Sequence, residues 1–240
     1  MHRIRFILAA AVAVVAVSSP ALAGEPEPLT RNYDALSDEE IEARTQFILE
    51  RLEAGQDWAT RWQWGWTAGY ASGIAIGTAQ AIMTNDGHNR AAYITTAVKA
   101  TIGTARLLIQ PHPGWVGSDG IRVLPISTRG DKIRRLQRAE DLLRRVAKKA
   151  EERTNWKAHA GNVLLNAAGA AATWAWGDTD DAYKNLAIGL AVGEAHIWSA
   201  PSRGPQDLAD YQSQFGMKST SRFNWRIAPT VGGAALHVTW

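Results

Sequence analysis

The chain contains no cysteine. Disulfide frameworks and thiolate metal centres are therefore excluded, and so is a lipid anchor on an N-terminal cysteine. Net charge is also scarce, at a formal +3. Loss of Arg3 and Arg5 with a leader would leave 24 basic against 23 acidic residues. Bulk charge thus points to no polyanionic partner, and nucleic acid is not expected. Motifs with a fixed chemistry are missing as well. No H-E-x-x-H pair, phosphate-cradling glycine loop or twelve-residue calcium loop occurs, and Ser118 in W-V-G-S-D-G misses G-x-S-x-G by register. Neither a metal nor a cofactor is expected. A chain without disulfides must hold together by packing, and with 46% hydrophobic residues this one can.

The N-terminus reads as an export signal. His2, Arg3 and Arg5 precede an apolar run, Phe6 to Val17, that is too short to span a bilayer comfortably. Pro20 breaks the run, and Ala21-Leu22-Ala23 forms an A-x-A cleavage site, which sets residues 1–23 apart as a signal peptide. Residues 24–36 read as a polar, extended arm. Ser37 and Glu40 form a capping box that opens a first helix, expected to run from Asp38 to Ala54 and to end at Gly55. Its apolar stripe is Ile41, Thr45, Ile48 and Leu52.

Trp62 to Thr84 carries no charged residue. Gly65, Gly69, Gly73 and Gly77 recur at every fourth position, which puts them on one helical face as a packing seam. The face resembles that of glycine-zipper envelope proteins over this stretch alone. Asn85 to Asn89 is a loop signal, and a further helix runs from Arg90 to Ile109, stopped by Pro111. The plan then recurs. An offset of 92 pairs Trp64 with Trp156, Gly69 with Gly161, Gly77 with Gly169 and Asp86 with Asp178. An offset of 90 pairs Tyr93 with Tyr183, Gly103 with Gly193 and Pro111 with Pro201. Helical hairpin repeats over 62–114 and 155–204 follow, with Gly161 and Gly169 on the second packing face.

Ile121 to Ile126 is read as a short edge strand. Asp131 to Arg153 is a basic amphipathic helix with an apolar stripe of Ile133, Leu136, Leu143, Val146, Ala147 and Ala150. It holds much of the positive charge, whereas residues 24–57 are acidic, so the two helices are expected to dock. Residues 205–240 form a polar segment and then a β-hairpin from Phe223 to Trp240. That tail resembles the last strand of outer-membrane barrels, although no run of similar strands accompanies it. The fold expected over residues 37–204 is mainly α. Two tandem helical hairpins form a four-helix bundle, two amphipathic helices flank it, and a small C-terminal β-hairpin follows.

The candidate ligand-binding set is polar and lies on the hairpin helices: Lys99, Arg106, Glu194, His196 and His159. Lys99 stands at the repeat position of Gly189, and Glu194 at that of Thr104, an asymmetry with no purely repetitive purpose. Loop residues His88 and His112 are read as solvated. The expected function is non-enzymatic binding or scaffolding in the periplasm or at the outer membrane. The partner is a membrane surface or another envelope protein. A membrane-embedded pore and a periplasmic enzyme with a polar cleft are the alternatives. The sequence carries no signal for oligomeric state.

Overall fold

The structure, a computed structural model, describes residues 29, 30 and 32–216 with their side chains, and the backbone of 224–230 and 233–239. The expected signal peptide and the apolar face of the expected hairpin lie outside the described residues. The chain is mainly α-helical. Seven α-helices are described: α1 Asp38–Met83, α2 Gly87–Ile109, α3 Asp119–Arg122, α4 Arg129–Thr154, α5 Trp156–Trp176, α6 Thr179–Trp198 and α7 Gly204–Gln214. They fall into two compact units. Among the described residues, the hairpin unit holds Asp57–Trp115 and Glu152–Ala200, and the charged unit holds the remainder.

Helix α1 corrects the expected stop at Gly55. It runs 46 residues without a break. An interior glycine costs a helix only about 1 kcal/mol, and it ends one only where the backbone turns left-handed. Among the described residues positive φ is confined to Gly117 and Gly216, and no proline follows Gly55 before Pro111. The start is as expected, with the Glu40 amide donating to Ser37 Oγ at 3.1 Å.

In the charged unit, the first turns of α1 dock on α4, as their apolar stripes and opposite charges require. Ile41, Ile48, Leu49 and Leu52 share one core with Leu136, Ala139, Leu142 and Leu143. Burial of these side chains dominates the energy, because exposed pairs such as Lys132 with Asp38, 3.2 Å apart, are screened by solvent and contribute little. Inside this core sits the fully buried Glu140. It accepts from Thr30 Oγ1 and Tyr33 OH at 2.6 Å each and from Tyr211 OH at 2.5 Å. The end of the expected extended arm is thereby tied down, and Tyr33–Ala35 closes into a 3₁₀ turn. Tyr211 comes from α7, an element that the polar sequence after Pro201 did not suggest. The expected edge strand over Ile121 to Ile126 is instead α3 and a turn. Ser118 is buried there, and its hydroxyl accepts from Arg122 Nε at 3.0 Å. That local bond fixes a helical turn and places Ile121 in the core.

In the hairpin unit, short loops link α1 to α2 and α5 to α6. Asp86, Asn155 and Asp178 cap α2, α5 and α6 by accepting from the backbone amides of the first turn. The seam between α1 and α2 uses half of the expected glycine face. A Cβ on Gly73 would meet that of Ala100 at 3.2 Å, and one on Gly77 would meet Tyr93 O at 3.0 Å. Gly65, Gly69 and Gly161 have no described atom within 4 Å of such a Cβ. Two glycines outside the expected seam act as notches instead. Tyr70 fills the one at Gly103, and Asn162 the one at Gly193.

Substitution separates these classes. Gly69→Ala is expected to raise stability by about 0.5–1 kcal/mol, since it relieves backbone entropy and meets nothing. Gly204→Ala should lower stability by about 1–3 kcal/mol, because its Cβ would lie 2.8 Å from the Ala147 backbone. Denaturant midpoints of the two variants check both signs.

Candidate functional site

The interior of the hairpin unit is polar. Lys99, on α2, donates from Nζ to Asn166 Oδ1 at 2.9 Å, Asn185 Oδ1 at 2.6 Å and Asn185 O at 3.2 Å. An ammonium has three donors, and here each has an acceptor. No carboxylate joins them, and burial pulls the Lys99 pKa down to about 8. Asn185 in turn donates to Thr96 Oγ1 at 3.1 Å.

From Lys99 a file of side chains continues along α5 and α6. Asn166 Nδ2 donates to Asn162 Oδ1 at 2.7 Å. Asn162 Nδ2 donates to Glu194 Oε1 at 2.9 Å. Glu194 Oε2 lies 2.8 Å from His159 Nδ1. The carboxylate accepts, which places a proton on His159 Nδ1. His159 and Glu194 are about one-third exposed, so the file reaches solvent at this end.

Glycines make room for the file. A Cβ on Gly189 would lie 1.8 Å from Asn166 Oδ1 and 2.6 Å from Lys99 Nζ, and one on Gly193 would lie 1.8 Å from Asn162 Oδ1. Gly169 passes 2.9 Å from Lys99 Cδ by the same measure. The asymmetry between Lys99 and Gly189 now has a physical reason: the lysine of one hairpin occupies the space that the glycine of the other leaves.

The five candidate residues do not form one cluster. Lys99, Glu194 and His159 belong to the file, with Lys99 and Glu194 joined through two asparagines. His196 lies among aromatic rings instead. It stacks on Trp62 at 4.8 Å between centroids and meets Trp66 at 5.1 Å and Tyr70 at 5.7 Å. Burial, then Arg153 and Arg106, hold its pKa down at about 3. Arg106 is exposed. The expectation of a solvated His112 is corrected: it is 1% exposed. Gln63 fixes it there, accepting from the His112 amide at 3.0 Å while donating to Leu107 O at 2.9 Å.

The asparagines were missed by sequence reasoning, as was Arg153. One signal was present: Asn162 and Asn166 are four apart on α5, and Gly189 and Gly193 four apart on α6. Knobs and notches at matched helical spacing mark a pair of facing stripes. Among the described residues no cluster of three or more histidines or acids has the arrangement to hold a metal. What the site can do chemically is hold hydrogen-bonded order inside a bundle and offer His159 Nε2 at its solvent end. Comparisons with family models, curated proteins and solved structures gave no match.

A pH prediction follows from His196. Its folded pKa, about 3, lies below the ordinary 6.5, so the unfolded chain takes up a proton first as pH falls. The stability that neutral His196 contributes is complete above pH 6.5 and is lost between 6.5 and 3. The slope of unfolding free energy against pH in that window should fall by nearly one proton in His196→Phe, as followed by denaturant melts at several pH values.

Proposed function

We propose that the chain is an exported cell-envelope protein that acts by binding, with its hairpin unit seated against a lipid surface. One observation carries this: the unit turns a polar file inward and leaves many large apolar side chains exposed. Lys99, Asn162, Asn166 and Asn185 face inward, whereas Ile76, Met83, Leu108, Leu164, Trp174 and Ile188 are exposed. Exposed apolar surface on this scale marks an interaction face. Exposed Trp156 and Trp174, near the two ends of α5, suit the headgroup region of a bilayer. The leader over residues 1–23 supports export, with the periplasm or outer membrane as destination.

In this proposal the hairpins over 62–114 and 155–204 pack as a four-helix bundle of duplicated origin. Tyr70 and Asn162 are 92 apart, and the glycines they fill, Gly103 and Gly193, are 90 apart. Those are the offsets of the repeat. The C-terminal segment is a β-hairpin, an arrangement supported by the antiparallel backbone register that sets Trp225 opposite Val238 and Ile227 opposite Leu236. Catalysis is not invoked, because the file satisfies its own hydrogen bonds.

A second reading is favoured by the same distribution of side chains: the hairpins insert and the file forms a polar conduit. Among the described residues no helix is long and apolar enough to cross a membrane, so surface seating ranks first.

Flotation with lipid vesicles tests the proposal. The protein should float, and Leu164→Glu with Ile188→Glu should weaken binding at least ten-fold with the circular dichroism unchanged. Equal flotation of both proteins, or of neither, contradicts the lipid-facing surface. An alkaline carbonate wash separates the two readings: surface-bound protein is released and inserted protein stays.

A further inference from the structure

Arg153, at the end of α4, carries a buried charge. It is 6% exposed. Its Nη2 donates to Gln110 O at 2.7 Å, and its guanidinium lies 4.7 Å from the centroid of Trp62. Its Nε is buried with no acceptor. No carboxylate pairs with it among the described residues. Glu152 acts on it only as an electrostatic neighbour, and successive residues on a helix do not face each other. An uncompensated buried cation is costly, and this one has a second cation beside it. Arg106 raises that cost, because its field acts on Arg153, His196 and Tyr70 alike.

His196 completes the surroundings. It lies on the same indole as Arg153, with its Nε2 buried and unpartnered. Both ring neighbours, Trp62 and Trp66, spend their own N–H groups elsewhere, on His196 O and Ser199 Oγ. Two guanidiniums, a neutral imidazole and a phenol therefore gather in one region. Two of these groups hold orphaned nitrogens, and among the described residues no acid pairs with either guanidinium.

We propose that Arg106 and Arg153, flanked by Trp62, Tyr70 and His196, bind an oxyanion of the phosphate class. Planar guanidinium forks match phosphate oxygens two at a time, and arginine gives up hydration more readily than lysine does. Exposed Arg106 supplies the first contact from solvent. Arg153, oriented by Gln110 O and by the indole face, supplies the second. The same chemistry is offered by a phospholipid headgroup and by a soluble phosphate.

Titration with inorganic phosphate, followed by calorimetry and tryptophan emission, tests the soluble source. Co-sedimentation with phosphatidylglycerol against phosphatidylcholine vesicles tests the headgroup. A phosphate isotherm weakened at least ten-fold by Arg106→Gln and by Arg153→Gln, and restored in part by Arg106→Lys, supports the site with a soluble ligand. No phosphate isotherm, but a ten-fold preference for phosphatidylglycerol that Arg106→Gln abolishes, supports it with a lipid headgroup. Arg106 is exposed, so its variant keeps the test valid if Arg153→Gln fails to fold. Arg61→Gln, on a residue paired with Asp57 at 3.8 Å, is the control and should change nothing. Absence of both signals, or signals that survive Arg106→Gln, overturns the proposal. Vesicle binding lost only in Leu164→Glu with Ile188→Glu would leave the apolar surface standing and remove the anion site.

Discussion

A half-buried ammonium needs three acceptors, and that requirement organises the hairpin unit. Lys99 reaches them through two asparagines and one backbone carbonyl rather than through an acid. Asparagine has donors of its own to place, so each amide recruits the next. The file therefore ends only where a carboxylate, Glu194, and an imidazole, His159, reach water. Lys99, Asn166 and Asn162 sit where Gly169, Gly189 and Gly193 on the facing helices leave room. Polarity inside and apolar surface outside are then two sides of one constraint: helices that turn their polar stripes toward one another must show their apolar stripes outward.

The charged unit obeys the opposite rule. Its core is mostly apolar, and the fully buried acid Glu140 is held by three hydroxyls that come from the N-terminal arm and α7. Glu140 thus gathers elements far apart in sequence. Removing any one hydroxyl would leave a buried carboxylate under-satisfied, a loss of about 1–3 kcal/mol. The amphipathic pattern that brings α1 onto α4 is carried by spacing alone, and it was legible. The hydroxyl cage was not, because nothing local links Thr30 or Tyr211 to Glu140.

The same division runs through the rest of the chain. The cap at Ser37 is short-range chemistry, and the sequence shows it directly. Gly55 misleads because a helix passes through glycine at small cost when neither a left-handed turn nor a proline follows. Ile121 to Ile126 misleads because its β-branched run is overridden by a serine that bonds back to Arg122. Among the candidate site residues, charge drew attention to Lys99 and Glu194. The groups that join them are neutral amides, which look like ordinary polar residues until the facing glycines are set beside them. Arg153 was counted with the solvated basic face of its helix. Only packing reveals that it lies under Trp62.

The polar file depends on Lys99 being a half-buried, desolvated ammonium held by neutral acceptors. Its side-chain titration, followed by heteronuclear NMR on protein labelled at lysine, measures this directly. A midpoint near 8, moving toward the ordinary lysine range of about 10.4 when Asn166 is replaced by a small residue that admits water, is the expected result. A Lys99 that titrates near 10.4 in the intact protein would mean an exposed ammonium, and the polar file would not be the interior of this unit.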